Sequence, residues 1–196
     1  LARCHPDDIE QAWEAIKIAK DSRIHVFTST SEIHMEHMLR KTKEDILNDT
    51  SDSVKYAKKL CQDVEFSAQD ATRTDKEFLI EVLKTAVEEG ATTINVPDTV
   101  GYATPKDYLD LLQSVYEDVK GGNEDVIIST HCHNDLGLAV ANSLTAITAG
   151  ARQIEGAING IGERAGNTST EEIIMAIKTR QDQFGVDIKA ETTEIF

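Results

Sequence analysis

Five short β-forming runs recur along this chain at intervals of roughly 30–40 residues, with a helix-period segment in every gap; that alternation is the signature of βαβ units around a parallel sheet. The runs are RIHVFTSTS from Arg23, VEFSAQ from Val64, TTINVPDT from Thr92, DVIISTHCH from Asp125 and RQIEGAI from Arg152. Residues 6–20 place Ile9, Trp13, Ile16 and Ala19 at helical spacing. Ser31 is positioned to cap a helix over 32–47, and 49–61 reads as more helix. Thr74 and Glu77 form a capping-box pattern that opens a helix ending at Gly90. Thr104-Pro105 opens another that runs to Gly121. Asn134 can cap a helix ending near Gly150, and a last helix is expected from about Ser169 to Phe184. No Pro-rich or low-complexity linker interrupts the chain, so residues 1–196 read as one unit, with 185–196 as a possible tail to something downstream.

The strands are two-faced. Side chains alternate sides along a strand. Ile24, Val26 and Thr28 therefore oppose His25, Phe27 and Ser29, and Val64, Phe66 and Ala68 oppose Glu65, Ser67 and Gln69. Ile94 and Val96 oppose Asn95, Pro97 and Thr99, while Val126, Ile128, Thr130 and Cys132 oppose Ile127, Ser129, His131 and His133. An open doubly wound sheet is covered by helices on both faces and tends to apolar strands throughout. Here one face turns polar toward the C-terminal end of each strand, as the inner face of a (β/α)₈ barrel does at its catalytic mouth. A doubly wound sheet with polar loop residues is the alternative. No GxGxxG or GxxxxGK[ST] pattern opens any helix, which removes the main support for a dinucleotide or P-loop version.

His131-Cys132-His133 is the strongest chemical signal. Residues i and i+2 of a strand share a face with Cα atoms about 6.6 Å apart, and two imidazoles so placed can reach one divalent ion. Cys132 faces the other way and reads as a buried apolar thiol. Two hydrogen-bonding residues at a strand end is the plain alternative for the pair. The loop Asn159-Gly-Ile-Gly-Glu-Arg-Ala-Gly-Asn167 is the second candidate. Its small residues permit close approach of a ligand, although an ordinary strand-to-helix loop in which Asn167 or Thr168 caps the next helix would look the same. His34 and His37 share a helix face and read as solvated, and His5 sits at a helix entry.

Charge excludes some classes. Asp and Glu number 35 against 20 Lys and Arg, a net charge of −15, the opposite of the basic face that nucleic-acid binding needs. No apolar run reaches the roughly 20 residues of a membrane span. Cys4, Cys61 and Cys132 are too scattered for a disulfide frame, and LARCHPDDIE lacks a signal-peptide pattern, so a reducing cytoplasm is the expected compartment.

FSAQDATRTD, INVPDTVGYATP, STHCHNDLGLAVANSLTAITAGARQIEGAINGIGERAGNTS and RIHVFTSTSEIHM together resemble the 2-isopropylmalate synthase family, over essentially the whole chain. HCHNDLGLAVAN and GARQIEGAINGIGERAGN also belong to the wider group of homocitrate synthase, citramalate synthase and hydroxymethylglutaryl-CoA lyase; TSEIHM and ATRTD favour the isopropylmalate branch. The resemblance implies a TIM barrel that condenses acetyl-CoA with 2-oxoisovalerate, with one divalent ion (Mn²⁺, Mg²⁺, Zn²⁺ or Co²⁺), in leucine biosynthesis. It places the metal ligands on His131, His133 and Asn167. It places the 2-oxo acid on Thr99, Asn95, Pro97, His25, Ser67 and Gln69, and adds Glu163 from the GER motif. It implies a homodimer. Where the family often has Glu in an SPE motif, this chain has Ser67-Ala68-Gln69, and Gln cannot act as a base, so the general base is not identifiable. The family's opening strand, with its Arg-Asp-Gly motif, has no counterpart, nor do the downstream acetyl-CoA and leucine-binding regions. Since a complete barrel takes about 250 residues, the expectation is an incomplete barrel, roughly strands 3–8, with Leu1-Ala2-Arg3 as the end of an earlier strand. Rival readings are the related acyltransferases, the lyase direction, and a non-catalytic metal-binding fragment.

Overall fold

The computed structural model describes residues 1–195. Six parallel strands form one sheet in sequence order: β1 (Ala2–Arg3), β2 (Arg23–Ser29), β3 (Asp63–Gln69), β4 (Thr93–Asp98), β5 (Ile127–Cys132) and β6 (Gln153–Glu155). Each neighbour follows its predecessor in the chain, which is the winding of a (β/α) barrel rather than a doubly wound sheet, where the order reverses. The arc is not closed: β1 and β6 each have one strand neighbour among the described residues. β1 is only two residues long and is joined to β2 through Ala2↔Val26 and Arg3↔Phe27.

The helices are α1 (Pro6–Ile16), α2 (Glu32–His34, continued as a wider π-turn over Met35–Leu39), α3 (Lys43–Leu60), α4 (Lys76–Glu88), α5 (Pro105–Val115), α6 (Ala139–Thr148), α7 (Thr170–Thr179) and α8 (Gln181–Phe184). Several boundaries differ from the sequence reading. The expected helix over 32–47 breaks at Arg40, which adopts a left-handed conformation, and a new helix starts at Thr42. Thr42 and Asp45 form a reciprocal capping box there, satisfying two orphan donors at once. The expected Thr74 cap lies one residue too early. Asp75 caps α4 instead, accepting from the Phe78 N–H at 3.0 Å, because the Thr74 hydroxyl is engaged with the Asp70 carbonyl at 2.9 Å. Neither Asn167 nor Thr168 caps the last helix. Ser169 stands at that position, and Thr168 is turned inward to the Cys132 carbonyl and the Ser143 hydroxyl. The run 169–184 is divided at Arg180.

The apolar strand face is the core. Ile24, Val26, Val64, Phe66, Ala68, Ile94, Val96, Ile128 and Cys132 are buried under the helices, together with Ile46, Val54, Leu79, Leu83, Tyr108 and Leu112. Burying one such side chain contributes about 1.5–3 kcal/mol. Tyr108 ties α5 to two strands, donating to the Val96 carbonyl at 2.5 Å and meeting the Thr130 hydroxyl. A second apolar cluster joins Ile147, Ile173 and Ile177, with Val186 and Ile188 packed on it. The stretch expected as a tail thus docks at least as far as Ile188. Phe196 lies outside the described residues.

The ATRTD stretch has a structural explanation. Asp70 is fully buried, with φ of +67°. Its carboxylate takes three bonds from Arg73, at 2.8, 3.1 and 2.7 Å, and one from the Ser31 hydroxyl at 2.5 Å. This locks the turn after β3 onto the start of α2. His34 closes over the same carboxylate at 3.5 Å, so it is not the solvated residue expected, whereas His37 is exposed. Among the described residues, no helix is long and apolar enough to cross a membrane.

Candidate metal and substrate site

The curvature of the sheet converts the polar strand face into a set of stacked layers. The deepest layer joins four strands. Arg23 donates to Asp63 at 2.8 Å, to Glu65 at 3.0 Å and to Gln153 at 2.6 Å. Gln153 in turn donates to Glu65 at 2.9 Å and to Ser129 at 3.0 Å. Glu65 is 2% exposed. Burial, and the Glu155 carboxylate nearby, push its carboxyl up to about 7.

One residue pair higher lie His25, Ser67, Asn95, His131 and Glu155. His25 Nε2 meets the Ser67 hydroxyl at 2.7 Å, and Asn95 Nδ2 donates to Ser67 at 2.8 Å and to Glu155 Oε2 at 3.2 Å. His131 Nδ1 lies 2.9 Å from the same Glu155 oxygen. Burial drives the His25 imidazole down to about 4. Burial opposes the Glu155 charge, but the hydrogen bond from His131 and the charge of His25 outweigh it and hold the carboxyl below its ordinary value.

The mouth lies at the C-terminal ends of β3, β4 and β5. His133 follows β5 and forms an antiparallel bridge with Asn167. The His131 and His133 rings are 5.1 Å apart and tilted by 47°. His133 Nδ1 and Asn167 Oδ1 are both buried with no hydrogen-bond partner. Leaving such atoms unpaired costs about 1–3 kcal/mol each. Burial, with the charges of His131 and Arg164 close by, pulls the His133 imidazole below its ordinary value. Two imidazoles and an amide oxygen are donors of the kind that suit a divalent ion, and the unpaired atoms on residues 133 and 167 are ones such an ion would satisfy.

Arg164 builds the loop that carries Asn167. Its guanidinium grips Asp135 with two bonds, at 2.7 and 2.8 Å, and donates to the Thr99 carbonyl at 2.9 Å. The glycines of this loop are steric requirements. A Cβ on Gly166, whose φ is +97°, would sit 2.2 Å from the Gly160 carbonyl oxygen, and one on Gly162 would sit 2.6 Å from the Asn167 amide. Gly101 carries the β4 loop past the His133 carbonyl, where a Cβ would be 2.9 Å away.

The structure brings His25, Ser67 and Asn95 into one hydrogen-bonded group that reaches His131 through Glu155, with Pro97 in register beside His131. Gln69 stands at the rim, where its oxygen accepts from the Ser29 hydroxyl at 2.5 Å. Thr99 lies one residue beyond β4, its hydroxyl oxygen accepting from the Asp70 N–H at 2.9 Å, so the hydroxyl proton is free to donate. Glu163 stands apart from these groups, with 77% of its side chain exposed and its carboxylate paired with Arg164 at 3.2 Å.

Six residues of the layers were not among the sequence-based site candidates: Arg23, Asp63, Glu65, Ser129, Gln153 and Glu155. Alternation in VEFSAQ and RQIE places Glu65, Gln153 and Glu155 on the inward face, but nothing local shows that they meet. His25, Glu65 and Glu155 carry ligand-type atoms within 4.8 Å of one another. Both Glu65 oxygens are already engaged, one by the Arg23 guanidinium, which supplies there the positive charge that an ion would otherwise bring.

Comparison with known proteins agrees with this architecture. A family model described as HMGL-like matches residues 1–196. The chain is 55% identical over 195 residues to a 2-isopropylmalate synthase of Clostridium kluyveri, which covers all of this chain and 38% of that protein. It is 53% identical over 196 residues to one from Pelotomaculum thermopropionicum, covering 39% of that protein. The chain thus spans under two-fifths of the length of these curated relatives. Among solved structures it resembles an HMG-CoA lyase of Acinetobacter baumannii in complex with coenzyme A and 3-methylmalate, with a TM-score of 0.76 at 20% identity, over 95% of this chain and 61% of that one. It also resembles the HMG-CoA lyase of Bacillus subtilis, with a TM-score of 0.75 at 20% identity, over 97% of this chain and 71% of that one.

Proposed function

The chain belongs to the HMGL-like family, and on that premise we propose that it forms the 2-oxo-acid and metal-binding part of a single barrel domain that makes 2-isopropylmalate and CoA from acetyl-CoA and 2-oxoisovalerate. The observation that carries this reading is the mouth of the sheet. His133 stands there beside the His131 ring, with its Nδ1 and the Asn167 Oδ1 both unpaired, and the Thr99 hydroxyl has a proton free to donate. Identity above 50% to two proteins named 2-isopropylmalate synthase supports the choice of substrate. Residues 1–196 form a partial barrel domain without an internal boundary, and the parent enzyme works in the cytoplasm as a homodimer.

His131, His133 and Asn167 would hold a divalent ion, which would supply Lewis acidity toward the ketone oxygen. The chain's own groups do the rest of the positioning. The Thr99 hydroxyl donates to the 2-oxo acid carboxylate, its oxygen being fixed by the Asp70 N–H. Pro97 and Asn95 line the strand beside His131 where the acid's side chain lies, with Asn95 held by Ser67, which His25 holds in turn. A base takes a proton from the acetyl-CoA methyl, the resulting carbon bonds to the ketone carbon as the carbonyl π pair moves to oxygen and takes up a proton, and water cleaves the thioester to release CoA. Gln69 has no basic atom and its oxygen is held by Ser29, so that base is another group. Glu163 acts at the rim, through its pairing with Arg164.

Thiol release by the full-length enzyme with a panel of 2-oxo acids tests the proposal. 2-Oxoisovalerate is expected to give the highest kcat/KM, and clear preference for pyruvate or 2-oxoglutarate would sink it in favour of citramalate or homocitrate synthesis. The 196-residue chain alone is expected to consume no acetyl-CoA, since its open arc leaves the polar layers without a closing wall.

A further inference from the structure

We propose that Glu155 is a positioning residue for His131: its Oε2 fixes the imidazole with the proton on Nδ1 and so presents a bare Nε2 to the ion. The inference rests on the metal reading above and deepens it.

Register makes the contact inevitable. His131 and Glu155 are direct partners across the β5–β6 pairing, so both side chains rise from the same height on the inner face. At 2.9 Å the Nδ1 atom is within hydrogen-bond distance of Oε2. The same oxygen accepts from Asn95 Nδ2 at 3.2 Å. Asn95 is itself held by Ser67, and Ser67 by His25. The Glu155 carboxylate is therefore tied to groups from β2, β3, β4 and β5 and has little freedom to turn. An oxygen that already accepts from an amide is an acceptor for the ring as well, which puts the ring proton on Nδ1. Among the described residues His131 Nε2 has no hydrogen-bond partner, and the centroids of the His131 and His133 rings are 5.1 Å apart. A carboxylate that fixes the tautomer of a ligating histidine raises its basicity and removes the cost of ordering it when the ion binds. Glu155 reaches the reacting atoms only through His131.

The test uses the full chain, labelled with ¹⁵N and stripped of metal by chelation. Long-range ¹H–¹⁵N spectra of the histidine rings report the tautomer directly. Wild-type His131 is expected to show a protonated Nδ1 and a bare Nε2. Glu155→Leu is expected to abolish that preference and to weaken zinc binding, followed by calorimetry, by about 10–100-fold. Glu155→Gln keeps an acceptor oxygen and is expected to retain the tautomer and to bind zinc within about threefold of wild type. A loss of packing alone would weaken binding without changing the tautomer. A wild-type His131 protonated on Nε2 overturns the proposal, even if the leucine variant fails to fold. So does a folded leucine variant with wild-type tautomer and affinity. Unchanged zinc affinity in His131→Ala would instead overturn the ligand assignment while leaving the tautomer result standing.

Discussion

Arg23 on β2 donates to Gln153 on β6 at 2.6 Å, although 130 residues separate them and β3, β4 and β5 lie between their strands in the sheet. At roughly 4.8 Å between neighbouring strands, a flat sheet would hold β2 and β6 about 19 Å apart. The contact exists because the sheet curls, and the curl gathers residues of separate strands into layers.

That link gives the first prediction. Arg23→Met leaves Glu65 buried without its cation. Breaking a fully buried pair costs about 3–5 kcal/mol; Arg23 keeps 33% of its side chain in solvent, so about 2 kcal/mol is expected in urea unfolding. Gln153→Leu should cost about 1–2 kcal/mol. The two losses should not add, because both act on Glu65. Full additivity would show that the layer is not a connected network.

The His25 imidazole sets a pH dependence. Its folded value is depressed to about 4 from 6.5, so the unfolded chain binds the proton more readily. The stabilisation is present above pH 6.5 and is lost as pH falls toward 4, by at most about 3 kcal/mol. His25→Gln should flatten the stability profile in that window. An unchanged slope in urea melts between pH 7 and pH 4.5 would refute it.

Two glycines of one loop should fail differently. Gly166→Ala forces a side chain onto a backbone oxygen at positive φ and should cost at least about 2 kcal/mol in stability. Gly162→Ala meets only the end of the Asn167 side chain. It should leave the melting temperature nearly unchanged and weaken zinc affinity by about tenfold, by turning the Asn167 amide. Equal effects of the two on melting would contradict this separation.

His131→Ala and His133→Ala should each reduce zinc affinity by at least about 100-fold in calorimetry, as loss of a direct ligand exceeds the 10–100-fold typical of an outer partner. Affinity unchanged in either variant would remove that residue from the site.

Thr99→Val removes a donor but keeps the shape of the side chain. In the full-length enzyme it should lower kcat/KM for the 2-oxo acid by about 10–100-fold, equivalent to 1–3 kcal/mol for one hydrogen bond to a charged group. The KM for acetyl-CoA should stay within twofold, and an equal rise in both KM values would point to a general disturbance of the mouth.

Much of this was legible in the sequence. Strand positions, the two-faced alternation and the His131–His133 pair follow from local chemistry, since a strand's period of two fixes which residues share a side. Gly90, Gly121 and the Thr104-Pro105 entry mark helix ends through backbone preferences that need no tertiary partner. The break at Arg40 and the Asp75 cap were not legible. Thr74 has the better capping pattern, but its hydroxyl is drawn to the Asp70 turn. His34 read as surface because the buried Asp70 it covers lies 36 residues away.

The sequence by itself therefore determined the period of the elements, the polarity of each strand face and the identity of the candidate ligands. Tertiary structure alone decided which inward residues meet. Glu65, Gln153 and Glu155 are ordinary polar residues in their own strands, and only the curvature of the sheet sets them against Arg23, His25 and His131. Hydrogen bonds act over about 3 Å, and strand curvature is a property of the whole packed sheet, so no window of sequence contains that information.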